Sequence, residues 1–244
     1  MDLLKDTIKF TDKGNIKMIA HRGVSGLERE NTCPAFVAAG VKSYYGIETD
    51  IRITKDGKII VIHDNDLKRI AGLDVNVEET TFDDLRKIRL KDVDNETERG
   101  DLFLPSLEEY ISICKKYDKQ AILELKDSIP QETFLEVVEK TKKLGWYERV
   151  TFISSAAQSL AYLHKNYPEA EAQLICGYCT DEQIQFAIDN GLDADLNLYH
   201  LTKEKIQRLK DAGRKVNCWT INTLEHAKQM QELGVDMITT NILE

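Results

Sequence analysis

Two acidic residues, Glu48 and Asp50, lie two positions apart within an apolar, β-branched stretch of the sequence. Side chains two positions apart in a β-strand point to the same face, so these carboxylates would share one face. Glu124 lies near the end of another apolar run, 121–125. Clustered carboxylates repel one another unless a cation neutralises them, and an all-oxygen site suits Mg²⁺ or Ca²⁺ better than zinc. We therefore expect the three residues to bind one divalent cation, with ion pairs to nearby arginine or lysine as the alternative.

Two histidines follow apolar runs in other parts of the sequence. His21 comes after the run 17–20, and His63 comes after the run 59–62. Histidine exchanges its proton near neutral pH, so a pair can supply one general acid and one general base. Either histidine alone would more often be structural, but the two together, beside acidic residues, indicate catalysis.

Cationic and aromatic side chains accompany these groups. Arg22 directly follows His21, and Lys126 lies two positions after Glu124. Cations next to a divalent metal ion and two histidines are typical of a site that handles a phosphoryl group. Simple salt bridges to the carboxylates are the alternative role for both cations. Trp219 ends a late apolar run, where it would either form a wall of the pocket or belong to the core.

The spacing of these residues predicts the fold that positions them. Apolar runs alternate with amphipathic stretches that begin at Ser, Thr or Pro and often end at Gly, which predicts strands alternating with helices in a parallel sheet. Nine predicted strands compete for the eight places of a closed barrel: 17–21, 46–50, 59–63, 121–125, 150–154, 172–176, 194–198, 215–221 and 236–240. The candidate residues fall at or just after strand ends, where α/β barrels carry their active sites. We predict an α/β fold, a TIM-type (β/α)8 barrel. Either 194–198 is not a barrel strand, or 46–63 supplies one strand instead of two.

Two segments depart from regular alternation. The link 51–58 is too short for a helix, so parallel strands on either side would require it to cross back in extended form, with a turn at Asp56-Gly57. The barrel is therefore expected to be irregular there. The segment 65–104 is polar and longer than an ordinary loop, and we interpret it as a small insertion over the barrel mouth. The whole chain, 1–244, is expected to be a single domain.

The composition limits the possible partners. The 244 residues include 33 Lys and Arg against 42 Asp and Glu, a net charge of −9. Such an acidic chain argues against non-specific binding to nucleic acids or anionic membranes. No run approaches the ~18 apolar residues of a membrane span, and residues 1–15 lack the apolar core of a signal peptide. We expect a cytoplasmic protein with reduced, buried cysteines and a small-molecule partner, and a homo-oligomer remains an open alternative.

Short motifs spread over nearly the whole chain are similar to those of a known family. They are, in order, His21-Arg-Gly23, Glu30-Asn-Thr32, Glu48-Thr-Asp50, Val61-Ile-His-Asp64, Leu123-Glu-Leu-Lys126 and Trp219-Thr-Ile-Asn222. Together they resemble the glycerophosphodiester phosphodiesterase family. The resemblance implies a TIM-type barrel, a divalent cation, and hydrolysis of glycerophosphodiesters to glycerol 3-phosphate and an alcohol.

The resemblance also implies roles for individual residues. His21 and His63 correspond to the general acid and base, Arg22 and Lys126 to phosphate contacts, and the three carboxylates named above to cation ligands. The sequence departs from the family pattern at two places. It has Arg69-Ile-Ala-Gly72 instead of an RTT-type segment, and its last strand ends in Asn241 instead of aspartate.

Two other functions are compatible with these features. A different phosphodiesterase on the same barrel, of the lysophospholipase D or phosphoinositide phospholipase type, would need an apolar rim that faces a membrane, and the polar insertion argues against one. A barrel that binds a phosphate ligand without turnover would lack an acid–base group, whereas both histidines are present.

Overall fold

The chain folds into a closed barrel of parallel strands surrounded by helices. The computed structural model describes residues 5–244. The strands in this range are β1 (Lys17–Ala20), β2 (Gly46–Ile53), β3 (Ile59–Val61), β4 (Gln120–Leu125), β5 (Val150–Ser154), β6 (Glu171–Cys176), β7 (Asp193–Asn197), β8 (Val216–Trp219) and β9 (Met237–Thr240). All except β3 pair in parallel, and β1 bonds to both β2 and β9, which closes an eight-stranded ring. The predicted TIM-type barrel is confirmed. Segment 46–63 supplies one barrel strand, and 194–198 corresponds to a regular strand, β7.

Helices connect most neighbouring barrel strands. They are α1 (Cys33–Gly40), α2 (Lys68–Ala71), α3 (Phe82–Leu85), α4 (Leu107–Lys116), α5 (Gln131–Lys143), α6 (Ala157–Asn166), α7 (Asp181–Asp189), α8 (Lys203–Asp211) and α9 (Leu224–Leu233). Several begin at a Ser or Thr whose hydroxyl accepts a hydrogen bond from the backbone N–H three residues later, as Thr32 does from Ala35. Such caps satisfy donors that the first helical turn leaves free. Among residues 5–244, no helix is both long and apolar enough to cross a membrane.

The barrel strands are covered on both faces. On β1, Met18 and Ala20 belong to the large apolar cluster between strands and helices, whereas Ile19 belongs to a small separate cluster. The other buried members of that small cluster, Ile122, Ile153 and Met237, come from three further barrel strands and fill the interior. This alternation is expected for a strand with apolar neighbours on both sides. All five cysteines are free, and four of them are buried.

The strands β2 and β3 form an antiparallel hairpin. The chain turns at Gly57, whose φ is 73°, and β3 returns with Val61 opposite Ile51. The turn was predicted, but the extended parallel crossing over 51–58 is wrong. An antiparallel return satisfies the backbone N–H and C=O groups of both strands locally, and needs only a short turn. Only β3 therefore lies outside the ring, where it is paired with the last residues of β2.

Residues 65–104, which we call the cap segment, have an apolar cluster of their own. Its members are Leu67, Ile70, Ala71, Val77, Leu85, Leu90, Leu102 and Leu104, together with Ile60 and Ile62 of the hairpin region. In the sequence most of these side chains are separated by charged or polar residues, which gives the segment its polar composition. The two ends of the cap segment lie side by side, because the backbone N–H of Val61 donates to the carbonyl of Pro105 at 3.0 Å.

Candidate active site

Three carboxylates meet at the C-terminal end of the barrel. Glu48 and Asp50 lie on the inner face of β2, and Asp50 is in register with Glu124 of β4. Glu48 and Asp50 are 2% and 0% exposed. One oxygen atom from each of the three residues lies within 4.8 Å of the other two. The structure thus brings together the three carboxylates that the sequence spacing indicated.

The charges of this cluster are not balanced by hydrogen bonds alone. Glu48 Oε1 is buried and accepts no hydrogen bond from any described residue. Burial and the charges of Asp50 and Glu124 raise the pKa of Glu48 well above its ordinary value. Burial and the charge of Asp50 raise the pKa of Glu124 to about 7. Carboxylates this close resist ionising together unless a cation joins them, so the all-oxygen cluster fits a hard divalent cation.

Two cationic side chains lie against Asp50. Lys126 Nζ is 2.5 Å from both Asp50 Oδ1 and Glu124 Oε1, and Arg22 Nε is 3.4 Å from Asp50 Oδ2. Burial would raise the pKa of Asp50, but the charges of Lys126 and Arg22 outweigh it and hold the pKa well below its ordinary value. The ion pairs that were the alternative to a metal site are therefore present. The two positive charges of Lys126 and Arg22 do not neutralise three ionised carboxylates, and one negative charge remains. The ion pairs are therefore compatible with a cation site.

His21 is held in place by the last strand. Its backbone N–H donates to the carbonyl of Thr240 at 2.8 Å, and its Nδ1 is 2.7 Å from Asn241 Oδ1. Because the amide oxygen can only accept, Nδ1 carries the proton and Nε2 has a free lone pair. Nε2 lies 4.0 Å from Glu48 Oε2. Burial and the charge of Arg22 lower the pKa of His21 to about 4, so the ring is neutral near neutral pH.

His63 is connected to Arg22 by a chain of hydrogen bonds and ion pairs through Arg69 of the cap segment. His63 Nδ1 is 2.7 Å from Asp64 Oδ1, and Asp64 Oδ2 accepts from Arg69 Nε at 2.8 Å. Arg69 also donates to both oxygens of Glu30, at 2.6 and 2.7 Å. Glu30 in turn accepts from Arg22 at 2.8 Å. We call these five residues the Arg69 network, because Arg69 joins its two halves.

Two asparagines orient residues of the site, although no site role was predicted for either of them. Asn31 Nδ2 donates to Asp50 Oδ2 at 2.7 Å, while its Oδ1 accepts from Thr49 at 2.8 Å. Asn241 orients His21 and also accepts from Ser25 at 3.0 Å. Their partners lie 18 to 220 positions away along the chain. Only the folded chain shows which side chains they orient.

The C-terminal end of the barrel contains a pocket of about 140 Å³. Its charged wall consists of residues from the ends of β1, β2 and β4 and from the hairpin: His21, Arg22, Glu48, His63, Glu124 and Lys126. The opposite wall comes from β5 to β9: Ile153, Ser155, Ile175, Asp195, Trp219 and Thr239. Trp219, for which two roles were open, lines the pocket, and its Nε1 donates to the backbone carbonyl of Asp195 at 3.2 Å. The arrangement offers a cation site, two histidines and two cationic side chains around one small cavity.

Comparison with known proteins places the chain among phosphodiesterases. The Glycerophosphoryl diester phosphodiesterase family matches residues 21–244. A glycerophosphodiester phosphodiesterase of Bacillus altitudinis is 31% identical over 231 residues, which cover 92% of this chain and 94% of that protein. The structure is similar to that of an Oleispira antarctica phosphodiesterase in complex with the product sn-glycerol-3-phosphate, with a TM-score of 0.81, 23% identity and 92% coverage of each chain. It is also similar to a glycerophosphodiester phosphodiesterase from Parabacteroides distasonis, with a TM-score of 0.76, 26% identity and 93% coverage of each chain. This chain therefore belongs to the glycerophosphodiester phosphodiesterase family.

Proposed function

We propose that the protein hydrolyses glycerophosphodiesters to glycerol 3-phosphate and an alcohol, with the help of a divalent cation. The observation that supports this most strongly is a cluster of three carboxylates, two of which line one pocket together with two histidines and two cationic side chains, in a family member. Each of these groups has a use in phosphodiester hydrolysis. The same set would be costly in a barrel that had only to fold, because buried charges are destabilising unless they are paired.

Glu48, Asp50 and Glu124 are the proposed cation ligands. The unpartnered Oε1 of Glu48 and the mutual repulsion of the three carboxylates support this role. A bound Mg²⁺ or Ca²⁺ would supply positive charge for the phosphate oxygens and would polarise the phosphoryl group. With a divalent cation, the ionised carboxylates and the charges of Arg22 and Lys126 leave one net positive charge, which favours an anionic phosphodiester.

Arg22 and Lys126 are the proposed phosphate contacts. Both line the pocket next to the carboxylates. Burial opposes their charge, but the negative charges of Asp50 and its neighbours raise the pKa of both groups above the ordinary value. Both side chains therefore remain charged, and cations in a water-poor pocket stabilise charge that develops on the phosphate oxygens.

His21 is the proposed general base and His63 the proposed general acid. The Nδ1–H of His21 is bonded to an amide oxygen, which leaves Nε2 free to take the proton of the attacking hydroxyl, whether from water or from the glycerol 2-hydroxyl. His63 is bonded to the carboxylate of Asp64, which stabilises the protonated ring and supports donation to the leaving alkoxide. Burial lowers the pKa of His63, but the charge of Asp50 and the bond to Asp64 oppose this effect and favour the protonated ring that a general acid requires.

The cap segment is proposed to border the pocket mouth. The support is its connection to pocket residues, since Arg69 of the cap reaches Asp64 beside His63 and Glu30 beside Arg22. Arg29 also donates to the backbone carbonyls of Lys91 and Asp92 in the cap segment. The insertion would therefore orient the charged wall as well as limit access of water.

A substrate panel with each cation tests the proposal. The purified protein, first stripped with a chelator, would be assayed for release of glycerol 3-phosphate from glycerophosphocholine, glycerophosphoethanolamine, glycerophosphoglycerol and glycerophosphoinositol. Activity is expected only after Mg²⁺ or Ca²⁺ is restored. A lysophospholipid in the same panel tests the lysophospholipase D alternative. Unchanged substrates with either cation would contradict hydrolysis and favour a binding protein.

A further inference from the structure

The pocket wall that comes from β5 to β9 contains one acidic side chain among otherwise uncharged ones. Asp195 faces the barrel interior from β7, since its neighbours Ala194 and Leu196 belong to the outer apolar cluster. Among the described residues that form this wall, Asp195 is the only ionisable one, and Ile175 and Trp219 lie beside it in the lining.

Asp195 has no evident role in holding the fold together. The residue is 3% exposed, and its Oδ1 is buried without a hydrogen-bond partner in the part of the chain that the structure describes. Asp195 does not belong to the carboxylate cluster of the proposed cation site. A buried carboxyl without a partner costs free energy, so its presence on the pocket wall calls for a ligand.

The buried position of Asp195 limits what that ligand can be. Burial and, to a lesser extent, the charge of Glu124 raise the pKa of Asp195 well above its ordinary value. Burial therefore favours the neutral carboxylic acid, which has one O–H donor and one C=O acceptor. A hydroxyl group, which also donates and accepts, is the chemical match for such a side chain.

We propose that Asp195 hydrogen-bonds a hydroxyl of the substrate's glycerol moiety and makes the pocket selective for a hydroxylated group. The proposal rests on the proposed function, which supplies the glycerol phosphate. The phosphate would lie at the charged wall, with the glycerol chain reaching across the small pocket to Asp195. Trp219 supports this geometry. Its indole N–H donates to the backbone carbonyl of Asp195, which holds the ring next to this residue.

Paired ligand titrations test this role. Glycerol 3-phosphate and n-propyl phosphate have the same charge and carbon chain, but the second lacks both hydroxyls. In the presence of Mg²⁺ or Ca²⁺, the wild-type protein should bind glycerol 3-phosphate about 10-fold more tightly. Asp195→Asn keeps a donor and an acceptor and should retain most of this preference. Asp195→Leu should bind the two phosphates equally, with Asp195→Ala as the second variant should leucine not fold.

A buried polar residue of the same barrel provides the matched control. Gln173 of β6 also has a buried, unpartnered oxygen among residues 5–244, but it is in register with Asp193 and does not line the pocket. Gln173→Met should leave the preference for glycerol 3-phosphate unchanged. Thermal unfolding separates ligand binding from folding: Asp195→Leu should unfold at the same temperature as the wild type or higher, because an unpartnered carboxyl is removed.

Two results would overturn the proposal. These are a preserved preference for glycerol 3-phosphate in Asp195→Leu, or a loss of thermal stability in both Asp195→Leu and Asp195→Asn. The titrations need no turnover, so they are independent of the proposed reaction. A wild-type protein that shows the preference but hydrolyses no glycerophosphodiester would reject the proposed function and keep the role of Asp195.

Discussion

The two halves of the barrel differ in how the chain leaves each strand. From β5 to β9 a short loop leads from each strand to a helix, whereas between β1 and β4 the chain makes two long excursions, 21–32 and 54–106. The charged pocket wall belongs to the irregular half, and the mostly uncharged wall belongs to the regular half. A long loop or a hairpin can aim several side chains at one point, whereas a regular strand–helix unit presents one or two. The chemistry of this barrel is therefore concentrated where the alternation is broken.

The largest loss of activity is expected from substitution of the two histidines in the irregular half. His21→Ala and His63→Ala should each lower kcat by about 10²–10⁴-fold, since each removes one proton-transfer group. Steady-state release of glycerol 3-phosphate with saturating cation measures the effect. His226→Ala, on α9 of the regular half, is the control and should remain active. Near-wild-type turnover in either pocket variant would exclude that histidine from the mechanism.

A substitution in the carboxylate cluster should reduce activity without reducing the stability of the fold. Glu48→Gln should lower kcat/KM by about 10²-fold or more, because the cation loses a ligand. Mg²⁺ or Ca²⁺ should raise the unfolding temperature of the wild type but not of Glu48→Gln. In cation-free buffer the variant should be at least as stable as the wild type, since one of three repelling groups is neutral. An unchanged stabilisation by cations in Glu48→Gln would place the cation elsewhere.

A smaller effect is expected from the connection between the cap segment and the charged wall. Arg69→Gln should lower kcat/KM by about 10-fold, because it releases Glu30 and Asp64 from their shared partner. Arg69→Lys should restore only part of the activity, since lysine cannot bind both oxygens of Glu30 and also reach Asp64. The double variant Arg69→Gln/Glu30→Gln should lose little more than Arg69→Gln alone. Additive losses would show that the two residues act separately.

The smallest expected effect is a pH dependence of stability in the irregular half. Burial would raise the pKa of Glu30, but Arg69 and Arg22 outweigh it and lower the value from 4.5 to about 2. Glu30 therefore stabilises the fold above its unfolded pKa, and this contribution is lost as the pH falls from 4.5 toward 2. Glu30→Gln should lower the free energy of unfolding by about 2 kcal/mol at neutral pH and less in acid. Urea denaturation over a pH series measures both, and parallel curves for the two proteins would contradict the prediction.

Much of this site could be predicted because its residues follow a local rule. Glu48, Asp50 and Glu124 lie on or near strand ends, and strand ends in a parallel barrel meet at one edge. The direction of β3 could not be predicted in this way, because apolar character and β-branching are the same in parallel and antiparallel strands. His63 therefore reaches the pocket on a returning hairpin, although its position was inferred from the rule for parallel strands.

Other features depend on contacts between distant parts of the chain. Asn241 and His21 are 220 positions apart, and Arg69 and Glu30 are 39 apart. No periodicity in the sequence links such partners. The cluster inside the cap segment was missed for a related reason: its apolar residues follow neither a helical nor a strand repeat over most of their length. Asp195 was missed because an aspartate within a short strand also fits a solvent-facing position.

The side-by-side ends of the cap segment have a consequence for how this enzyme could be modified. The backbone bond from Val61 to Pro105, and the bridge between Ile60 and Ser106, hold the start and the end of the insertion together. A segment whose two ends lie close together can be lengthened, shortened or exchanged, because the positions at which it leaves and rejoins the barrel do not change. Changes in the length of the cap segment that keep Arg69 should therefore leave the barrel folded.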